Sequence, residues 1–292
     1  MQTLSVGVGD VANEDAAPPF RPARVFAVTS GKGGVGKTNV VANLAAALAQ
    51  AGKRVLVMDA DLGLANLDLF LGVNPRYTLA DFFAGTQSLA DIIITSSLGI
   101  RLLPAASGVQ EVTSLRDEQK IALLTELDAL NEEADLVLVD TASGISDTVT
   151  YFTTAAHETI VVVTPEPSSI TDAYGLIKVL ASMHHEKRFS ILVNNVDGER
   201  QARNLFEALS RTSLRFLNTS LDFLGWVPRD PHLVRAVSRC RVVVADSLNS
   251  PSAGAFRKIA ERLAGLDAAD AKLKGNLQFF FRRLLAAQRE QR

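Results

Sequence analysis

Residues 24–38 read RVFAVTSGKGGVGKT, and this stretch decides the fold. Its first seven residues form a short apolar run rich in β-branched side chains, the composition of a buried strand. Four glycines follow within six residues, and then an alanine- and leucine-rich stretch over 37–51 that predicts a helix closed by Gly52. Residues 31–38 fit G-x-x-x-x-G-K-[ST], a phosphate-binding loop set between a strand and a helix. Gly31, Gly33, Gly34 and Gly36 let the backbone, Val35 included, wrap an anion so that successive N–H groups and the helix N-terminus face it. Lys37 is placed to reach the β- and γ-phosphates, and the Thr38 hydroxyl to ligate Mg²⁺. A glycine-rich turn without a ligand is the bland alternative.

Working outward, strand-like runs are expected at 54–59, 100–104, 134–140, 159–164, 188–193 and 221–227. Helix-like stretches fall near 115–132, 147–157, 169–185, 199–213 and 253–264. Apolar strands alternating with helices of this length predict an α/β fold, a mostly parallel sheet flanked by helices on both faces. One domain over 24–266 is expected, with a flexible arm over 1–23 and a separate C-terminal helix over 267–292. The 292 residues carry 47% apolar and 21% charged side chains, which excludes a largely disordered chain. A net charge of −2 gives no support to nucleic-acid binding, and direct DNA binding is not expected. The single cysteine, Cys240, cannot build a disulfide framework or a cysteine-ligated metal site within one chain and points to a reducing, cytoplasmic setting. No apolar run has the roughly 18–20 residues of a membrane-spanning helix.

The run ADLVLVD over 134–140 ends in Asp140 and continues as Thr141, Ala142, Ser143 and Gly144. Ligands of open α/β sheets sit beyond the carboxyl ends of the strands, so Asp140 is placed to hold a metal's shell and Gly144 to let the next loop respond to the γ-phosphate. Capping the next helix is the competing role for such an aspartate.

Lys32 gives the loop the form K-G-G-x-G-K-T. This resembles the deviant Walker A motif of the MinD/ParA class of P-loop ATPases, and the resemblance implies a P-loop NTPase fold of the SIMIBI type, with ATP and Mg²⁺ as ligands. It also implies an ATP-dependent homodimer in which Lys32 reaches the partner's nucleotide, adding charge stabilisation in trans as an arginine finger does. The segment MDADLGLANLD over 58–68 is similar to the family's first switch segment. Asp61 then matches the aspartate that orients the attacking water and Asp59 one near the Mg²⁺ shell, although both could be loop- or helix-capping carboxylates. A carboxylate with an ordinary pKa of ~4 is a poor base, so positioning water is the expected task and turnover is expected to be slow. The resemblance further places Asn194 (ILVNNVD), Pro228 and Asp230 (GWVPRDPHL) around the adenine, where turn chemistry is the alternative.

Within the class, the chain resembles the flagellar-number branch, FlhG and FleN, in TLADFFAG with LLPAASG, in PEPSSITDAYGLIKVL and in RAVSRCRVVVADSLNSPSAGAFRKIA. That resemblance implies a nucleotide switch regulating flagellar number, placement and gene expression. The partners implied are an enhancer-binding flagellar transcription activator of the FleQ type, the SRP-type GTPase FlhF, flagellar switch proteins and the membrane surface, with the cell pole as the site of action. A MinD-like division-site ATPase and a nucleotide-binding module without turnover remain alternatives.

The C-terminal LQFFFRRLLAAQREQR places Leu277, Phe280, Phe281, Leu284 and Leu285 on one helical face, with Arg282, Arg283 and Arg289 off it. A basic amphipathic helix of this kind suits a reversible membrane-surface anchor that dimerisation would strengthen, while packing on the domain is the alternative. At the other end, residues 15–21 resemble in part a DQAxxLR GTPase-activating element, with Ala16 and Phe20 departing from it and two prolines opposing a helix. His157, His184, His185 and His232 lack metal-ligand spacing, Trp226 is expected in the core, and Cys240 is expected to be a small buried hydrophobe.

Overall fold

A sheet of eight strands forms because the apolar runs are buried on both faces and only parallel pairing under covering helices satisfies them. The computed structural model describes residues 23–61, 66–78, 81–82, 84–104, 126 and 134–265. Its strands are β1 (Arg24–Ser30), β2 (Val55–Ala60), β3 (Ile94–Thr95), β4 (Arg101–Pro104), β5 (Leu136–Ser143), β6 (Glu158–Val163), β7 (Phe189–Val196) and β8 (Leu221–Pro228). Their order across the sheet is β3-β4-β2-β5-β1-β6-β7-β8, with β3 antiparallel to β4 and the other pairs parallel. Strand β1 therefore lies inside the sheet between β5 and β6, and the loop that follows it leaves from the middle of the sheet's C-terminal edge.

The helices are α1 (Lys37–Gln50), α2 (Leu67–Leu71), α3 (Leu89–Ile92), α4 (Asp147–Ala155), α5 (Pro167–His184), α6 (Glu199–Leu217), α7 (Pro231–Ser238), α8 (Val243–Asp246) and α9 (Pro251–Gly265). Strand alternation sorts the core. Phe26 and Val28 face α1 and α9, whereas Val25 and Ala27 face the side covered by α4. Val161, Ile191 and Val193 continue that second side against α5 and α6. Helix α1 is buried almost all round, since it lies between the sheet and α9, and its run of alanines allows the close approach. Its polar Asn43 is satisfied internally: Nδ2 donates to Asn39 O at 2.9 Å, and Oδ1 accepts from Val244 N at 3.2 Å.

The α/β fold class agrees with the sequence reading. The short elements β3, α2, α3, α7 and α8 were not anticipated, because segments of two to eight residues are too brief for periodicity to register. The predicted helix over 115–132, the arm over 1–23 apart from Ala23, and the C-terminal helix carrying Leu277, Phe280, Phe281, Leu284 and Leu285 lie outside the described residues. No described helix is long and apolar enough to cross a membrane.

Asp230 joins two helix starts. One carboxylate oxygen accepts from His232 N at 2.8 Å as the N-cap of α7, and the other accepts from Ser252 N at 3.0 Å and Ser252 Oγ at 2.6 Å at the start of α9. These hydrogen bonds hold its carboxyl below the usual carboxylate range against the upward push of burial. Asp230→Ala removes the cap and leaves the Ser252 donors unpaired in a buried site, so a loss of about 2–3 kcal/mol is expected in urea denaturation without nucleotide. A change within error would show that water replaces the carboxylate.

Candidate functional site

The loop between β1 and α1 is shaped by contacts on three sides. Gly31 passes so close to α5 that a Cβ on it would lie 2.2 Å from the Asp172 carbonyl, so no side chain fits. Gly36 has φ +87°, the left-handed region that favours glycine, and turns the chain into α1. Asn194, at the end of β7, donates from Nδ2 to Val35 O at 2.8 Å and clasps the loop from the side. Its Oδ1 accepts from Asn195 N at 2.9 Å, which fixes the amide's orientation. From the β5 side, Gly144 N donates to Ser30 O at 2.8 Å, tying the segment after Asp140 to the start of the loop. These contacts set the backbone before any ligand arrives.

The charges sit beneath this loop. Lys37 Nζ lies 2.5 Å from Asp140 Oδ1, with 7% of the lysine and 1% of the aspartate side chain exposed. Asp59 is the register partner of Asp140 across the β2–β5 pair and is also buried. Its pKa is pushed up to about 7, first by burial and then by the charge of Asp140; N–H groups of Asp61 and Leu67 and the Lys37 charge pull the other way. Asp140 is also raised by burial, against the lowering effect of Lys37 and of the Thr38 hydroxyl. Asp61 follows β2 half-buried, its N–H donating to Asp59 Oδ1 at 3.1 Å, and its charge acts on Asp140. The structure thus brings Lys37, Thr38, Asp59, Asp61 and Asp140 together at the C-terminal ends of β1, β2 and β5.

The donor set meets a chemical requirement for a divalent cation. Asp140 Oδ2 is buried with no hydrogen-bond partner, and burial together with the charge of Asp140 keeps the proton on Asp59 up to about pH 7. A hard cation accepting oxygen from Thr38, Asp59 and Asp140 would satisfy both.

Lys32 points elsewhere. Its Nζ is 2.6 Å from Glu166 Oε2 and 2.9 Å from Ser168 Oγ, both at the start of α5. Sequence reasoning had no role for Glu166 or Ser168, although both fall within the PEPSSITDAYGLIKVL stretch. Asn194 holds the loop through Val35. Asp230 is 3% exposed with both oxygens engaged in the capping work described above. Pro228 ends β8 opposite Val196. Cys240 corrects an expectation: it is exposed, in a left-handed turn (φ +51°) that closes α7. His157 is buried, its Nδ1 accepting from Val25 N at 2.9 Å. Trp226 is half-buried against the α6 side of the sheet instead of fully enclosed.

Residues 26–243 match the CobQ/CobB/MinD/ParA nucleotide binding domain. The chain belongs to that family. Members of the MinD/ParA class are P-loop ATPases, and the shared domain is a nucleotide-binding one. The chain is 43% identical to the antiactivator FleN of Pseudomonas aeruginosa over 266 residues, spanning 91% of this chain and 95% of that protein. It is 31% identical to the flagellum site-determining protein YlxH of Helicobacter pylori, over 90% of each. Among solved structures, the septum site-determining protein MinD from Pyrococcus horikoshii, complexed with Mg-ADP, superposes with a TM-score of 0.66 at 28% identity, covering 87% of this chain and 99% of that one.

The raised Asp59 pKa has a definite sign in this MinD/ParA-class chain. The folded protein keeps that proton up to about pH 7, while the unfolded chain releases it near 4, so folding gains most below pH 4 and loses this contribution as pH rises towards 7. Without nucleotide or Mg²⁺, the wild-type protein should therefore lose stability relative to Asp59→Asn between pH 5 and pH 8. Thermal melting of the two proteins across that range measures the difference, and a wild type that gains on the variant with rising pH would contradict the assignment.

Proposed function

We propose that this chain is an ATP-dependent dimerising switch with slow ATP hydrolysis that restrains a flagellar transcription activator and so sets flagellar number and placement. The observation that carries the switch is Lys32: a second loop lysine, 36% exposed, held by a surface ion pair to Glu166 and a hydrogen bond to the Ser168 hydroxyl. Exposed pairs of this kind contribute ~0.2–1 kcal/mol, so exchanging Glu166 for a phosphate of a partner's nucleotide costs little. The flagellar role rests on the 43% identity to an antiactivator over nine-tenths of the chain.

In this reading the loop N–H groups from Gly31 through Thr38 bind the phosphates of ATP, and Lys37 turns from Asp140 to the β- and γ-phosphates. Thr38, Asp59 and Asp140 would hold Mg²⁺, which supplies charge neutralisation at the phosphates when bound. Asp61 orients the attacking water, and positioning without a strong base makes turnover slow. Lys32 of each protomer faces the other's nucleotide, so hydrolysis and dimer dissociation are linked. Asn194 and Pro228 border the adenine side of the loop. The implied partners are a FleQ-type activator, the GTPase FlhF and flagellar switch proteins. The apolar face of Leu277, Phe280, Phe281, Leu284 and Leu285 would bring the dimer reversibly to the inner membrane surface at the pole.

Light scattering on Asp61→Ala tests the switch, because this change blocks hydrolysis while sparing binding. With Mg-ATP the mass should be twice the 31.3 kDa of the chain, and with Mg-ADP it should be one chain mass. Adding Lys32→Ala should leave ATP bound but return the protein to one chain mass. A single mass in both nucleotides, with ATP bound, would overturn the dimer and leave a static binding module.

A further inference from the structure

The outer edge of β8 forms the floor of a groove that reaches Pro228 at the end of the strand. Helix α6 forms one wall with Glu199 and Arg203, and α9 forms the other with Gly254, Lys258 and Arg262. The cavity measures about 400 Å³, and the half-buried rings of Phe223 and Trp226 lie in its floor. Among the described residues β8 has no strand neighbour on this side.

Two features show what this edge can accept. The register slips between Ile191↔Phe223 and Leu192↔Gly225, so Leu224 is an extra residue in β8. Carbonyls of successive residues normally point to opposite sides of a strand, and a bulge breaks that alternation. Here both the Phe223 and the Leu224 carbonyls accept from one group, Arg262 Nη1, at 2.9 and 2.7 Å. That arginine is an exposed, movable side chain standing in for the N–H groups of an absent strand. The second feature is charge. Arg203 is paired with Glu199 within α6, with an N–O separation of 2.7 Å, and Glu199 is the one acidic residue lining the groove, so Lys258 and Arg262 add positive charge to it. The chain's own segment 266–292 is a poor match, since it holds six basic residues against three acidic ones.

We propose that this groove docks an acidic, extended segment of a partner protein, laid along β8. Its backbone N–H groups take over the Phe223 and Leu224 carbonyls, its carboxylates pair with Lys258 and the released Arg262, and an apolar side chain between them packs on Phe223 and Trp226. Backbone pairing at an edge supplies affinity, and the cationic wall and aromatic floor supply selectivity. The reading is independent of the nucleotide switch.

Trp226 is the only tryptophan in the chain, so its emission reports on the groove directly. The full-length protein is titrated with an eight-residue peptide alternating Asp or Glu with Val or Leu, with the same peptide carrying Lys in place of every acid, and with the single-stranded oligonucleotide dT8. The acidic peptide should give a saturable shift in Trp226 emission, and the lysine peptide and dT8 should give none. Lys258→Glu, an exposed change whose folding is checked by its melting temperature, should weaken the acidic peptide about tenfold. Arg262→Ala should weaken it as well, but it also uncovers two carbonyls, so the Lys258 variant is decisive. No saturable response, unchanged affinity in Lys258→Glu, or an equal response to the lysine peptide would overturn the proposal. An equal response to dT8 would overturn it in favour of a nucleic acid.

Discussion

The buried pair of Lys37 and Asp140 is the interaction on which the rest of the site depends. An ammonium with 7% of its side chain exposed must have a counter-charge, and the sheet supplies one by placing Asp140 in the C-terminal half of β5, beside the loop that starts α1. Taking both charges out of water costs several kcal/mol per ion, offset only at short range and with good geometry. The 2.5 Å separation meets that condition, yet one Asp140 oxygen stays unpartnered, and burial with the Asp140 charge pushes up the pKa of neighbouring Asp59 despite Lys37. A site so arranged carries one cation too few for its carboxylates. It is stable enough to fold and incomplete enough to favour a ligand bringing both anionic and cationic groups.

The loop above that pair is held from outside by its neighbours. Asn194 fixes Val35 from β7, Gly144 fixes Ser30 from β5, and α5 lies against Gly31 with no room for a side chain. Each contact comes from a different βα connection, all of them at the C-terminal end of the same sheet. Parallel topology makes this possible, since every strand leaves its following loop at that end. Preorganisation of this kind lowers the entropy that an anion would otherwise have to overcome on binding.

What the sequence made legible follows the range of each interaction. The strand, loop and helix of residues 24–50 are local, so spacing and composition revealed them, and the strand-end rule found Asp140 without any fold in hand. Asp59 and Asp61 required a resemblance, because an acidic residue after a strand has many uses. The partners of Lys32 could not be read at all: Glu166 lies 134 residues away, and nothing local in PEPSSITDAYGLIKVL marks it as a counter-ion. The capping role of Asp230 was half hidden for the same reason. Its pairing with Ser252 is a tertiary contact across 22 residues, whereas the Asp-Pro start of α7 was a cap signal available in the sequence. The turn that exposes Cys240 likewise depends on where α7 stops, and cysteine's usual burial pointed the other way.

The two loop lysines, only five positions apart, are held with very different strength. Lys37 is locked in a dry pair, and leaving Asp140 uncompensated would cost ~3–5 kcal/mol, so it moves only when an anion takes the carboxylate's place beside it and a cation takes its own place beside Asp140. Lys32 sits at the surface, where Glu166 is 62% exposed and water competes for both groups. The first arrangement suits a residue that must answer only to phosphate bound in its own loop. The second suits a residue that must be released at small cost when a second anion approaches from outside the chain. The difference arises from side-chain direction at the C-terminal end of β1: Lys37 opens α1 and turns inward over the sheet, while Lys32 precedes the turn and faces the start of α5. The same short loop thus holds one lysine committed to folding and binding, and another left poised for exchange.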